Sequence, residues 1–385
     1  MKAVTVVGAS LAGLAAARAL REQGYTGALT VVGAERHAPY DRPPLSKDFL
    51  LGKAEAADLA LTAEDDSDLD VRWRLGARAV ALEPRRRAVV LADGTEVASD
   101  AVVVATGAAA LPLPGAPRLA GVHTLRTLDD AEALRAELAS GSPRVAVVGG
   151  SFIGAEIASA CAALGLETTV VEAAAAPLEH VLGPEVAAAV AGLHAANGVR
   201  LLCGTPVAAL AGADRVTGLV LADGRTVLAD VVVVGIGARP ATDWLTGSGL
   251  ELDRGVVCDP GLRTALPGVV AVGDAARVRR ADGTTTRAEH WSAANDQPPV
   301  AVRNLLAGRT VAAYARVPYF WSDQYGRRLQ FAGETRPGDT LRVVDGALAE
   351  SAFAAVYERG GRAVAAVALD RPRAFTRLRK GLAAA

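Results

Sequence analysis

Two glycine-rich strings carry the clearest chemistry in this chain of 385 residues: Gly8-Ala-Ser10-Leu-Ala-Gly13 and Gly149-Gly-Ser151-Phe-Ile-Gly154. Both are GxGxxG variants with serine in place of the middle glycine. In such a loop the first glycine permits a tight turn, the last lets helix and strand pack closely, and the exposed helix N-terminus can hold a pyrophosphate. Serine puts a small side chain where the backbone should approach the phosphate, which weakens the match without abolishing it. Each string is followed by a carboxylate, Glu35 or Glu172, placed to accept the ribose hydroxyls of an adenosine. One such loop is weak evidence, but a second copy with its own acidic residue makes the signal strong. Two dinucleotides in one chain imply electron transfer between them, and FAD with a nicotinamide is the usual couple.

The elements that must position these loops are legible around them. Ala3–Val7 reads as a buried strand, residues 14–23 as a helix and Ala28–Val32 as the next strand, which makes a βαβ unit. Residues 144–148, the second loop and Thr168–Val171 repeat it. Apolar strands ending in Thr106-Gly107 and in Gly237 frame the second unit, as if one βαβ domain were inserted within another. Residues 269–274, with Gly273, then resume the first domain with a strand whose last residue is the exposed carboxylate Asp274. The expected fold is α/β: two Rossmann-like three-layer nucleotide-binding domains and a C-terminal α+β domain. The expected boundaries are 1–108 with 237–312 for FAD, 109–236 for NADH, and 313–385 for the remainder.

Composition agrees with a folded, multidomain chain: 51% of residues are hydrophobic and 22% charged. The opening twenty residues hold Gly8 and Gly13 where a secretory signal has no use for them, and no uncharged run spans a membrane without Gly or Pro interruptions. Cys161, Cys203 and Cys258 lie far apart and read as buried thiols of a reducing cytoplasm, with no metal site. The net charge of −1 is unevenly spread. From residue 301 onward thirteen arginines and one lysine oppose seven acids, a balance of +7, so the first 300 residues carry −8. Such asymmetry suits an acidic partner on the C-terminal part. Six of the 16 aromatic residues fall between Tyr314 and Phe331, too dense for a simple amphipathic element and readable as a platform or a domain-joining core.

Further strings bring a family into view: Pro39-Tyr-Asp-Arg42-Pro-Pro44-Leu-Ser-Lys47, Thr106-Gly107-Ala108, Leu125-Arg126-Thr127, Gly273-Asp274, Glu289-His290-Trp291 and Pro318-Tyr-Phe-Trp321-Ser-Asp-Gln-Tyr325. Through them the chain resembles, over nearly its whole length, the FAD-dependent pyridine-nucleotide reductases. Within these it is most similar to the ferredoxin reductases that serve Rieske-type oxygenases and bacterial haem monooxygenases. The resemblance implies that Arg42 and Arg126 contact the FAD phosphates and that Asp274 bonds the ribityl chain. It implies backbone contacts from Ala12 and Val80, and places Pro44 and Lys47 against the isoalloxazine with Glu156 paired to Lys47 near flavin N5. His290 and Trp291 belong by the same resemblance to the cofactor site, Trp291 at the flavin's other end, and Trp321 to the electron exit. Phe152 and Ile153 belong to the second nucleotide loop.

The implied activity is hydride transfer from NADH to FAD, then single electrons to an iron–sulfur ferredoxin, which is expected to be acidic, and so indirectly to an oxygenase. A flavin can take two electrons and release them singly, which a nicotinamide cannot. No membrane or nucleic-acid partner is expected; monomer and homodimer stay open. A disulfide reductase would need Cys-x-x-x-x-Cys after the first βαβ unit, and an NADH oxidase or peroxidase one cysteine there; that stretch has none. A rubredoxin reductase, or a mainly binding flavoprotein similar to apoptosis-inducing factor, remains the alternative. The chain departs from the family pattern at both serines, at Ala108-Ala-Ala-Leu-Pro, where an arginine is usual, and at Gln297, where glycine is common.

Overall fold

The computed structural model describes residues 1–280 and 282–382. The chain forms two compact units, one of residues 1–41, 59–109 and 239–318, the other of 42–58, 110–238 and 319–385. The first is organised by a five-stranded parallel sheet in the order Val269–Ala271, Ala101–Val104, Ala3–Val7, Ala28–Val32, Val71–Arg74. Helix-covered parallel strands are buried on both faces and need unbroken apolar runs, which the Val-rich central strands supply. Val6, Val103, Val104 and Val270 are fully buried. Strand order reverses between Ala3–Val7 and Ala101–Val104, and the carboxyl edge at such a reversal is where ligands of open α/β sheets sit.

The helix after the first strand spans Leu11–Glu22 and buries Leu14, Ala16, Ala17 and Leu20. It begins three residues earlier than the sequence suggests, because Ser10 is its N-cap and the second half of the glycine loop is already its first turn. Asp274 also differs from expectation. The strand stops at Ala271, and the carboxylate lies in the short turn Gly273–Ala275, half-buried rather than exposed.

The second unit repeats the architecture with Arg200–Leu202, Thr168–Val171, Val145–Val148, Val231–Val234 and Val122–His123, again all parallel. The same unit holds an antiparallel sheet ordered Tyr319–Gln324, Arg327–Gly333, Arg362–Leu369, Ala352–Arg359, Thr340–Ala347. Helix Pro372–Leu382 packs on this sheet through Ala374 and Phe375. Phe331, Phe353, Tyr357 and Val367 share a core with Leu182, Val186 and Leu193 of the kinked helix Glu179–Ala196. Strands Tyr319–Gln324 and Arg327–Gly333 are joined by the two-residue turn Tyr325-Gly326, both residues left-handed at φ +54° and +71°. Two left-handed residues match the twist of a tight hairpin, at some strain for a tyrosine.

Candidate functional site

In the first unit the glycine loop makes a cradle. Gly8 stands at φ +122°, and a Cβ there would lie 2.0 Å from the Ala105 carbonyl oxygen; one on Gly13 would lie 1.8 Å from the Gly8 oxygen. Neither position accepts a side chain. Ser10 caps the helix through its backbone alone, with no side-chain bond, so the amides of the first turn keep their outward donors. Glu35 lies beyond the second strand and accepts a hydrogen bond from the Tyr40 hydroxyl at 2.5 Å. Gly273 packs so near Ala12 that a Cβ would meet the alanine methyl at 3.3 Å, and its N–H donates to Gln297 Oε1 at 2.7 Å. Gln297 is buried, so at this departure from the family pattern a side-chain carbonyl fixes the backbone that carries Asp274.

Other expected residues of this unit lie around that frame. Thr106 donates to the Ala241 oxygen at 2.8 Å and the Gly107 oxygen accepts from Ala241 N–H, which closes the turn after strand Ala101–Val104. His290 caps helix Trp291–Ala307; burial lowers its pKa, with Asp274 acting in the opposite sense. Trp291 donates its indole N–H to Asp41 at 2.8 Å. Val80 is an exposed side chain on strand Ala79–Glu83.

The second unit holds a dense polar cluster. Pro43 and Pro44 open a short 3-10 turn, Pro43–Ser46, whose fixed backbone presents Ser46 and Lys47 side by side. Helix Phe152–Ala163 supplies Glu156, which is only 4% exposed. Its Oε2 accepts from Lys47 Nζ at 2.9 Å and from Ser46 Oγ at 2.5 Å. Oε1 accepts from Ser322 Oγ at 2.7 Å and from the Asp323 amide at 3.3 Å. Lys47 also donates to the Pro43 oxygen at 3.0 Å. A buried carboxylate is tolerated when paired and hydrogen-bonded, and here both oxygens are engaged.

One helical turn beyond Glu156, Ser159 accepts from the Tyr325 amide at 2.7 Å, so two residues on one helix face hold both ends of the segment from Ser322 to Tyr325. The Tyr325 hydroxyl lies 2.7 Å from His194 Nδ1. Burial lowers the His194 pKa to about 4 and raises that of Tyr325, so both groups are neutral and share one hydrogen bond whose direction follows the imidazole tautomer. Trp321 faces the opposite side of the strand from Ser322, stacked with Tyr319 at 5.9 Å between centroids; the Arg379 guanidinium lies 4.1 Å from the Tyr319 ring centre. Phe320 packs against Phe152 and Phe331.

Arg42 and Arg126 also meet here, Arg42 donating to the Arg126 carbonyl at 2.6 Å. In the second glycine loop, Cβ atoms on Gly149 and Gly154 would fall 2.6 Å from the Gly235 oxygen and 2.1 Å from the Gly149 oxygen. Unlike Ser10, Ser151 accepts from the Gly154 amide at 3.1 Å. Glu172 accepts from Gly150 and Ala174 N–H, each at 2.8 Å; Ile153 is exposed at the helix start, and Gly237, at φ +115°, closes the neighbouring turn through Leu111. Cys161 and Cys258 are buried thiols pushed up to about 12 by burial, while Cys203 is half-buried rather than core. Among the described residues no cysteine is paired, no acidic or imidazole cluster could hold a metal, and no helix is long and apolar enough to cross a membrane. Ser46, Ser159, His194, Ser322 and Gln324 are the members of this cluster to which sequence reasoning assigned no role.

Residues 2–297 match the family described as pyridine nucleotide-disulphide oxidoreductase, and residues 319–385 match the reductase C-terminal family. The chain belongs to the pyridine nucleotide-disulphide oxidoreductases. Among curated members it is 36% identical over 375 residues to the benzene 1,2-dioxygenase system ferredoxin–NAD(+) reductase subunit of Pseudomonas putida, covering 97% of this chain and 90% of that one. It is 40% identical over 388 residues to the anthranilate 1,2-dioxygenase system ferredoxin–NAD(+) reductase component of Burkholderia cepacia, with 98% and 93% covered. The reductase in the crystal structure of the covalent putidaredoxin reductase–putidaredoxin complex superposes with a TM-score of 0.94 at 33% identity, over 100% of this chain and 93% of that one. Family membership makes this an FAD-dependent oxidoreductase using a nicotinamide coenzyme. The side-chain-free cradle at Gly8 and Gly13, with open amides behind Ser10, fits the pyrophosphate of such a cofactor.

Proposed function

We propose that this oxidoreductase is an NADH-dependent ferredoxin reductase that supplies an oxygenase, working in the cytoplasm. The observation that carries the reading is the Lys47–Glu156 pair, its carboxylate buried and locked by Ser46 and Ser322, in a chain whose relatives are reductase components of dioxygenase systems. FAD would lie in the domain of residues 1–108 and 237–312, held by the Gly8–Gly13 cradle, Glu35 and Asp274. NADH would lie in residues 109–236, on the Gly149–Gly154 loop with Glu172. When bound, the flavin accepts a hydride and passes electrons on singly.

The chain's own contribution is electrostatic and positional. Lys47 sets a compact positive charge where negative charge builds as hydride arrives, and a preorganised charge away from water lowers that barrier without reorganisation. Glu156 holds the ammonium in place. Trp321, with Tyr319 and Arg379, marks the exit, and helix Pro372–Leu382 presents exposed Arg373, Arg377, Arg379 and Lys380 beside it, which favours an acidic ferredoxin. Purified protein should be yellow, bleach with NADH under anaerobic conditions, and reduce cytochrome c only when a ferredoxin is added. Bleaching without ferredoxin-dependent transfer would overturn the reading.

A further inference from the structure

We propose that Ser322 is a positioning residue for the Lys47–Glu156 pair, with Gln324 setting the direction of its hydroxyl; this rests on the reading of that pair as the charge that assists hydride transfer. The terminal torsion of a glutamate is broad and nearly two-fold, so one cation on one oxygen does not define the carboxylate plane. In this chain Ser322 Oγ and the Asp323 amide take Oε1, which leaves Oε2 facing Lys47 and Ser46.

A serine hydroxyl has one proton to give. Gln324 Nε2 donates to Ser322 Oγ at 3.0 Å, so that proton is committed to Glu156. Gln324 is 1% exposed, and its own Oε1 is, among the described residues, a buried atom without a hydrogen-bond partner. A half-satisfied buried amide costs about 1–3 kcal/mol against an apolar side chain of similar shape. Stability alone therefore argues against glutamine here, whereas the direction it imposes on Ser322 gives it a use. Ser322 itself is fully buried, so its contacts are internal to the protein.

The test uses the full-length, FAD-loaded protein with Ser322→Ala, Gln324→Met, Lys47→Met and the Lys47→Met/Ser322→Ala double variant. Two quantities are read: the limiting rate of flavin reduction by NADH in anaerobic stopped flow, and the flavin midpoint potential by dye equilibration, which needs no turnover. Ser322→Ala should slow reduction about fivefold and lower the reduction equilibrium about threefold, about 14 mV for a two-electron couple. Gln324→Met should shift both the same way by less. Because Ser322 acts through the pair, the double variant should be no worse than Lys47→Met alone. A Ser322→Ala protein matching wild type in both readouts while Lys47→Met is impaired overturns the proposal and leaves the functional reading intact. A silent Lys47→Met removes the pair from the chemistry and the proposal with it. Strictly additive losses in the double variant also overturn it, since they mark a general structural defect. If Ser322→Ala fails to fold, Gln324→Met, which removes an already unsatisfied amide, decides the question by the same two readouts.

Discussion

Acid should loosen the Tyr325 hairpin through one buried imidazole. Burial holds His194 at about 4, against about 6.5 when solvated. The folded value lies below the unfolded one, so between these limits the unfolded chain binds more protons and stability rises with pH. The contribution is fully present above about pH 6.5 and lost as pH falls to about 4. A gap of about 2.5 pH units, each worth about 1.4 kcal/mol, amounts to about 3.5 kcal/mol, of which about 3 falls between pH 7 and 4. Protonation would also place a charged imidazolium in the buried site beside the Tyr325 hydroxyl, which is one of the two ties on a left-handed tyrosine. Replacing His194 with glutamine keeps an acceptor and removes the titration. Urea unfolding at a series of pH values from 7 to 4, followed by circular dichroism, should show a slope for wild type that exceeds that of His194→Gln by about 3 kcal/mol across the range. Parallel slopes would refute the reasoning, because other carboxylates contribute equally to both proteins.

Three other outcomes are expected. Trp321→Ala should reduce ferredoxin-dependent turnover at least fivefold more than flavin reduction by NADH, since its ring lies on the strand face away from Glu156; equal losses in stopped flow and steady state would return it to a packing role. Replacing Cys161, Cys203 and Cys258 together with alanine should leave NADH oxidation within about twofold in flavin-loaded protein, because the two buried thiols stay protonated, and a larger loss would contradict that. Glu172, tied to Gly150 and Ala174, should disfavour a 2′-phosphate by about 1.4–2.8 kcal/mol, a 10- to 100-fold preference for NADH that comparison of kcat/KM for the two coenzymes would check.

Both nucleotide folds were readable because their signals are local. Val-rich strands, glycine turns and acidic ends lie within short windows, and steric need leaves few alternatives at Gly8 or Gly13. Lys47 with Glu156 could be named only through a family resemblance, since 109 positions separate them in the chain. Ser322 and Gln324 stand inside a family string but show no role of their own there: serine and glutamine in a strand are ordinary surface residues until the topology shows that both face inward. The start of helix Leu11–Glu22 was misplaced because a glycine loop that is also a first turn looks like coil in sequence. Asp274 was read as exposed because the strand was carried three residues beyond its true end.

The two serines at the middle loop position differ in a way that bears on how long each ligand stays. The Ser10 side chain accepts from no amide of its helix, so an anion arriving there displaces no bond of that serine. Behind Ser151 the Gly154 amide is already taken, and Glu172 holds that of Gly150. An arriving phosphate must do without those donors or break the bonds, at about 1 kcal/mol each, which is roughly a fivefold shorter dwell time per bond. A resident prosthetic group gains from the first arrangement. On the function proposed above, the coenzyme that departs after every catalytic cycle would gain from the second, where two hydrogen bonds of the protein's own compete with it.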